Sequence, residues 1–141
     1  MPNKSFKGRK FEIALSKELS LWWTGGVRDD VFWHTHDSGG RATRRARRGV
    51  QTVNHYGDIC ATDPVGQPLL DLCVIEAKKG YNGFTLQDMI DQPPPRADKK
   101  PAVPIYLQWF AQAAESARHA SSKGWMIIAR RDKRAAFVIM D

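Results

Sequence analysis

The chain has 141 residues, enough for one domain that buries a core without disulfides or structural metal. With 42% hydrophobic residues and a mean hydropathy of -0.49 it reads as folded and soluble, and no apolar run approaches the ~20 residues of a membrane span. Lys and Arg number 22 against 15 Asp and Glu, and the resulting net charge of +7 attracts polyanions.

The first residues, Met1 to Lys7, lack the apolar stretch of a secretory signal, so a cytoplasmic location and no membrane partner are expected. Phe11, Leu15, Leu19 and Trp22 recur at spacings of four and three and predict a helix over 8–23, with Ser5 as its N-cap and Gly25-Gly26 as its stop. Val31 to His36 is rich in β-branched and aromatic residues and predicts a strand, which runs into the turn Asp37-Ser38-Gly39-Gly40. His34 and His36 alternate on that strand. The stretch shows no third ligand, so the pair reads as exposed or phosphate-contacting rather than as a zinc site.

The densest positive charge follows, in Arg41, Arg44, Arg45, Arg47 and Arg48. Guanidinium forks match phosphate oxygens, so this run is expected to contact a nucleic-acid backbone, either as a loop or as a short helix. His55–Ala61 and Leu69–Lys78 predict two strands, and the reverse turn Asp63–Pro68 between them predicts antiparallel neighbours. Cys60 and Cys73 lie in these apolar stretches and read as buried, reduced thiols. Gly80, Gly83, Pro93 to Pro95, Pro101 and Pro104 mark 80–103 as irregular, with one helical turn at Thr85–Asp91.

From Pro104 a second helix is expected, with Ile105, Leu107, Trp109, Phe110, Ala113, Ala114 and Ala117 on a wide apolar face and Gly124 as its stop. Trp125–Ala129 and Ala135–Met140 predict a hairpin about the charged turn Arg130–Arg134. The order α-β-β-β-α-β-β predicts an α/β fold, a mixed β-sheet flanked by helices, in a single domain over 1–141. That domain carries a basic loop at about 41–56 and a Pro/Gly-rich insertion at about 80–103.

Residues i and i+2 of a strand leave the same face, so Glu76 and Lys78 emerge side by side. An antiparallel return through 63–68 brings Asp58 beside Glu76. Two carboxylates and one lysine then converge, as phosphodiester hydrolysis requires. The carboxylates can share a divalent cation of hard-oxygen preference, and the lysine can orient or deprotonate the attacking water.

Gly57-Asp58-Ile59 followed by Ile75-Glu76-Ala77-Lys78 resembles the signature of the PD-(D/E)xK nucleases, with Gly57 where proline is often found. Lys7–Glu12 resembles the helix that supplies an extra glutamate in the Holliday junction resolvases of that superfamily. Ser38-Gly39-Gly40 resembles their serine–glycine loop, and Tyr106-Leu107-Gln108-Trp109 with the final hairpin resembles their ending. The resemblance implies a restriction-endonuclease-like fold and an endodeoxyribonuclease dependent on Mg²⁺, with Mn²⁺ as a substitute. It makes Asp58, Glu76 and Glu12 metal ligands and gives Lys78 the nucleophilic water. It places Ser38, Gly39, Gly40 and the five arginines on DNA, with His36 and Gln108 as weaker candidates.

The resemblance further implies a homodimer acting on branched, four-way DNA in a bacterial, archaeal or phage-infected cell. The stretches 41–56 and 80–103 are longer than in compact archaeal resolvases. That keeps open a restriction-type or repair endonuclease of the same superfamily, and a catalytically inactive basic DNA-binding protein.

Overall fold

The computed structural model describes residues 4–35, 56–81 and 105–141. Ser38, Gly39, Gly40, Arg41, Arg44, Arg45, Arg47, Arg48, His36, the side chain of Ser5 and the expected turn at 85–91 lie outside the described residues. Helix α1 spans Lys4–Trp23, strand β1 Phe32–His34 and strand β2 Ile59–Ala61. A 3-10 turn at Pro64–Gly66 leads into the short helix α2, Gln67–Leu72, and then strand β3, Cys73–Lys79. Helix α3 is Ile105–Ala120, followed by strands β4, Gly124–Arg130, and β5, Ala136–Met140.

Helix α1 ends where two glycines take left-handed backbone, φ 65° at Gly25 and 89° at Gly26, and the Gly26 N–H donates to the Leu21 carbonyl at 2.7 Å. Its buried face is wider and more polar than the expected apolar stripe. Phe11, Leu15 and Leu19 are buried, but so are Glu12, Ser16 and Ser20, while Trp22 is 65% exposed. The serine hydroxyls satisfy themselves on the helix, donating to the carbonyls of Glu12 (2.8 Å) and Ser16 (2.7 Å). Ser20 Oγ also accepts the Phe32 N–H at 2.9 Å, which fastens β1 against the helix. A serine row lets a strand approach more closely than a leucine row would, and Trp23 rather than Trp22 packs against the core.

The segment expected to be one long strand from Leu69 divides at Cys73. Pro64 and Pro68 stand in first-turn positions, where a missing N–H costs nothing, and Asp63 caps the 3-10 turn by accepting the Val65 N–H at 3.0 Å. The chain therefore turns helically, burying Leu69 and Leu70, before it extends. In consequence β2 and β3 do not form the expected antiparallel hairpin. Strand β2 pairs antiparallel with β1, His34 opposite Ile59, while β3 pairs parallel with β4 and β4 antiparallel with β5. One backbone hydrogen bond, Asp58 N–H to the Ile75 carbonyl at 2.8 Å, joins the two-stranded and three-stranded sheets.

Helix α3 also stops differently from expectation. Its terminus is Ser121, at φ 56°, with the Ser122 N–H returning to the Ala117 carbonyl, and Gly124 instead opens β4. The three-stranded sheet lies between two helices. On one side α1 packs Phe11, Leu15 and Leu19 onto Cys73, Ile75 and Ile128. On the other, Tyr106, Trp109 and Ala113 of α3 pack onto Ile127 and Ala129. This is the layered α/β arrangement of a restriction-endonuclease-like domain. Cys60 and Cys73 are buried and are not joined in a disulfide. Among the described residues no helix is long and apolar enough to cross a membrane.

Candidate active site

The alternation of β3 decides what meets where. Cys73, Ile75 and Ala77 belong to the α1 side of the sheet, and Glu76 and Lys78 project toward α3. Asp58 is brought to them by its backbone. Its N–H donates to the Ile75 carbonyl, and its own carbonyl accepts the Thr35 N–H at 2.9 Å. Its carboxylate oxygen Oδ2 accepts the Ala77 N–H at 2.8 Å. Gly57 makes that approach possible. Its φ is 78°, and a Cβ there would fall 2.7 Å from the Ile75 carbonyl oxygen and 2.6 Å from Val74 Cγ1. Only glycine fits both the left-handed backbone and the close contact, and a proline, fixed at negative φ, could not adopt it.

Glu76 is almost fully buried, at 1% exposure. Its Oε1 accepts from Ser116 Oγ at 3.1 Å and its Oε2 from Gln112 Nε2 at 3.2 Å. Lys78 Nζ stands 3.6 Å from the same Oε2 and donates to Gln112 Oε1 at 2.8 Å. The Gln112 amide therefore bridges the two, its oxygen toward the ammonium and its nitrogen toward the carboxylate. Burial and the neighbouring Asp58 carboxylate push the Glu76 carboxyl up to about 7, and Lys78 and Ser116 pull only partly against them. The Asp58 carboxylate therefore disfavours ionisation of Glu76 beside it.

Asp58, Glu76 and Lys78 thus come together as the sequence predicts. Glu12 comes to lie beside His34, with Oε2 3.9 Å from Nδ1 and both side chains buried beneath α1. The expectation that His34 is exposed or touches phosphate is corrected by its 3% exposure: α1 covers it, because His34 shares the inward side of β1 with Phe32. Among the described residues no three His, Cys, Asp or Glu side chains converge as a ready-made metal cluster. Gln108 is exposed and sits one helical turn before Gln112.

Gln112, Ser116 and Thr35 are the site residues that sequence reasoning did not name. The spacing Gln108, Gln112, Ser116 is a polar row with a period of four beside the apolar face of α3, and it was the available signal. Thr35, whose Oγ1 donates to the Gly57 carbonyl at 2.6 Å, carries no such mark.

The donor set fits a hard divalent cation. Burial and the neighbouring Asp58 carboxylate disfavour the ionised form of Glu76, which a cation would relieve, and oxygen ligands suit Mg²⁺ or its relatives. The comparisons with curated proteins and with solved structures returned no match. A family of nucleases described as "Phage putative PDDEXK endonuclease" matches residues 3–141, nearly the whole chain. This chain belongs to that PD-(D/E)xK family.

Proposed function

We propose that the protein is a divalent-metal-dependent DNA endonuclease that hydrolyses phosphodiester bonds with Asp58, Glu76 and Lys78. The observation that carries this reading is the Glu76 carboxyl, buried against Asp58 and pushed up to about 7 beside a lysine held by a glutamine. A carboxylate pair so placed is costly for a merely structural purpose, since well-packed apolar residues would serve better there. A binding role for a cation accounts for it.

Asp58 and Glu76 hold the metal in this reading, with Glu12 and ordered water as further candidates for its shell. A cation held there would supply charge neutralisation at the phosphate and acidify the attacking water. Lys78 orients that water and stabilises charge as it develops on the phosphoryl oxygens. Gln112 keeps the ammonium on station. The Ser38-Gly39-Gly40 loop and Arg41, Arg44, Arg45, Arg47 and Arg48 contact the DNA backbone, consistent with the chain's excess of positive charge.

The substrate we favour is branched DNA, a four-way junction above all, cut by a two-fold homodimer. The chain carries one set of catalytic groups, and a junction needs two symmetric nicks. A cleavage panel tests these levels separately: four-way junction, flap, single strand and linear duplex, each with Mg²⁺ and with EDTA, on wild-type protein, Asp58→Asn and Lys78→Ala. Cutting with Mg²⁺ alone is expected, reduced ~10³-fold or more in either variant. Folded Asp58→Asn protein with wild-type activity would remove the assignment. A monomer that cuts duplex as readily as junction would leave the chemistry and remove the resolvase reading.

A further inference from the structure

Beside Lys78 the sheet surface carries a shallow, open hollow lined by Lys78, Tyr81, Trp109, Arg130, Arg131 and Phe137 among others. Its chemistry differs from that of the carboxylate pair. The cations come from three positions and the rings from three more, and no acidic residue lines it among the described residues. Trp109 is buried at 3% exposure and fixes the floor, while Tyr81 is 42% exposed at the rim. The two rings meet edge to face, centroids 4.8 Å apart and planes at 75°, so Trp109 braces Tyr81 while leaving much of the tyrosine ring open. Gly80, at φ 88°, turns the chain at the end of β3, and its N–H donates to the Arg130 carbonyl at 3.3 Å, which ties Tyr81 to the rim of β4.

We propose that this open surface is a subsite for one unpaired nucleotide next to the scissile phosphate, its base stacked on the exposed face of Tyr81 and its phosphate held by Arg131. The proposal rests on the nuclease reading above and deepens it, because a braced aromatic ring beside a catalytic lysine favours a base that is free to leave the helical stack. Paired bases in a continuous duplex present only their edges. Bases at a branch point or in a single strand present a face, and an aromatic ring with nearby cations takes such a base without regard to sequence. A substrate preference for distorted DNA then follows from the exposed ring and its neighbouring cations, whatever the assembly.

The test is binding in EDTA, which needs no cleavage. Fluorescence anisotropy compares a labelled 20-mer of thymidylate with the same backbone lacking its bases, for wild type, Tyr81→Phe, Tyr81→Leu and Arg131→Ala. Wild type and Tyr81→Phe are expected to prefer the base-bearing strand by about 10-fold or more. Tyr81→Leu keeps an apolar contact for Trp109 and is expected to lose that preference. Arg131→Ala is expected to weaken both strands alike and to flatten the dependence of log K on log salt by about 0.7. A Tyr81→Leu protein that still prefers bases as wild type does overturns the subsite. If that variant loses the preference while wild type cuts no DNA with Mg²⁺, the subsite stands and the nuclease reading falls.

Discussion

The two sides of β3 are made from alternate residues of one seven-residue strand, and they answer to different demands. Toward α1, the side chains of Cys73, Ile75 and Ala77 join an apolar cluster with Phe11, Leu15 and Leu19. Toward α3, the buried Glu76 and the half-buried Lys78 meet Gln112 and Ser116 instead. The first side contributes stability at roughly 25 cal/mol per Å² of apolar surface removed from water. The second holds a carboxyl that its surroundings keep from ionising at its ordinary pH. Burial therefore does not separate core from site in this strand; the chemistry of the facing helix does.

Exchanging the burden between the two sides breaks the comparison most sharply. Ile75→Ala removes a fully buried side chain and is expected to cost about 2–5 kcal/mol of stability, with cleavage by the folded fraction largely kept. Glu76→Gln, one residue on, keeps the volume and relieves the repulsion from Asp58. It is expected to leave the melting temperature unchanged or raised while cleavage falls ~10³-fold or more. Thermal denaturation and single-turnover cleavage on both variants check the pair. Equal losses of stability from both substitutions would mean that the two sides are one core after all.

The site's centre was legible in the sequence because its parts are local. The period of two aligns Glu76 with Lys78, and Gly57-Asp58 precedes a strand by a fixed and short interval. What is set by helix-against-sheet packing was not legible. Gln112 and Ser116 reach Glu76 from 36 and 40 residues away, and nothing in their own neighbourhood says which strand they will face. The serines of α1 hid a buried face because a hydroxyl bonded to its own helix needs no other partner, whereas hydropathy counts it as exposed. Leu69–Leu72 misled in the opposite sense. A short apolar run fits strand or helix equally, and the prolines at 64 and 68 were read as a turn rather than as helix starts. The stop of α3 at Ser121 was hidden because serine is not expected in left-handed backbone, while Gly124 stood nearby as the obvious candidate. The fold class survived these errors, since it depends on the order of elements more than on their ends.

A smaller effect is expected at the bridge between the two chemical groups. Gln112 holds Lys78 Nζ at 2.8 Å and Glu76 Oε2 at 3.2 Å, and its side chain is at the margin of the fold. Gln112→Ala should therefore lower kcat by about 10- to 100-fold, with KM for DNA and the melting temperature little changed, because it frees the ammonium without removing it. Gln112→Glu is the sharper variant. It keeps an acceptor for Lys78 but puts a third carboxylate against Glu76 in place of the amide donor, so kcat should fall at least as far. A change confined to KM in both variants would make Gln112 a DNA contact rather than a positioning residue.

The smallest expected effect is a pH dependence that belongs to the α3 side alone. The Glu76 carboxyl stands near 7 in the folded chain against 4.5 ordinarily, so the folded state binds the extra proton between those values. Its contribution to stability is therefore complete below about 4.5 and is lost as pH rises through 7, on the order of 1–3 kcal/mol. Other acidic groups titrate as well, so the quantity to read is the difference between wild type and Glu76→Gln in urea unfolding at pH 5, 6, 7 and 8, with EDTA present. Wild type should lose ground to the variant across that range. A divalent cation at pH 8 should return it, because a cation that binds the ionised pair stabilises only the protein able to hold it. Parallel stability curves for the two proteins, with no shift on adding Mg²⁺ or Mn²⁺ to wild type, would separate the buried glutamate from metal binding and leave Lys78 without its assigned partner.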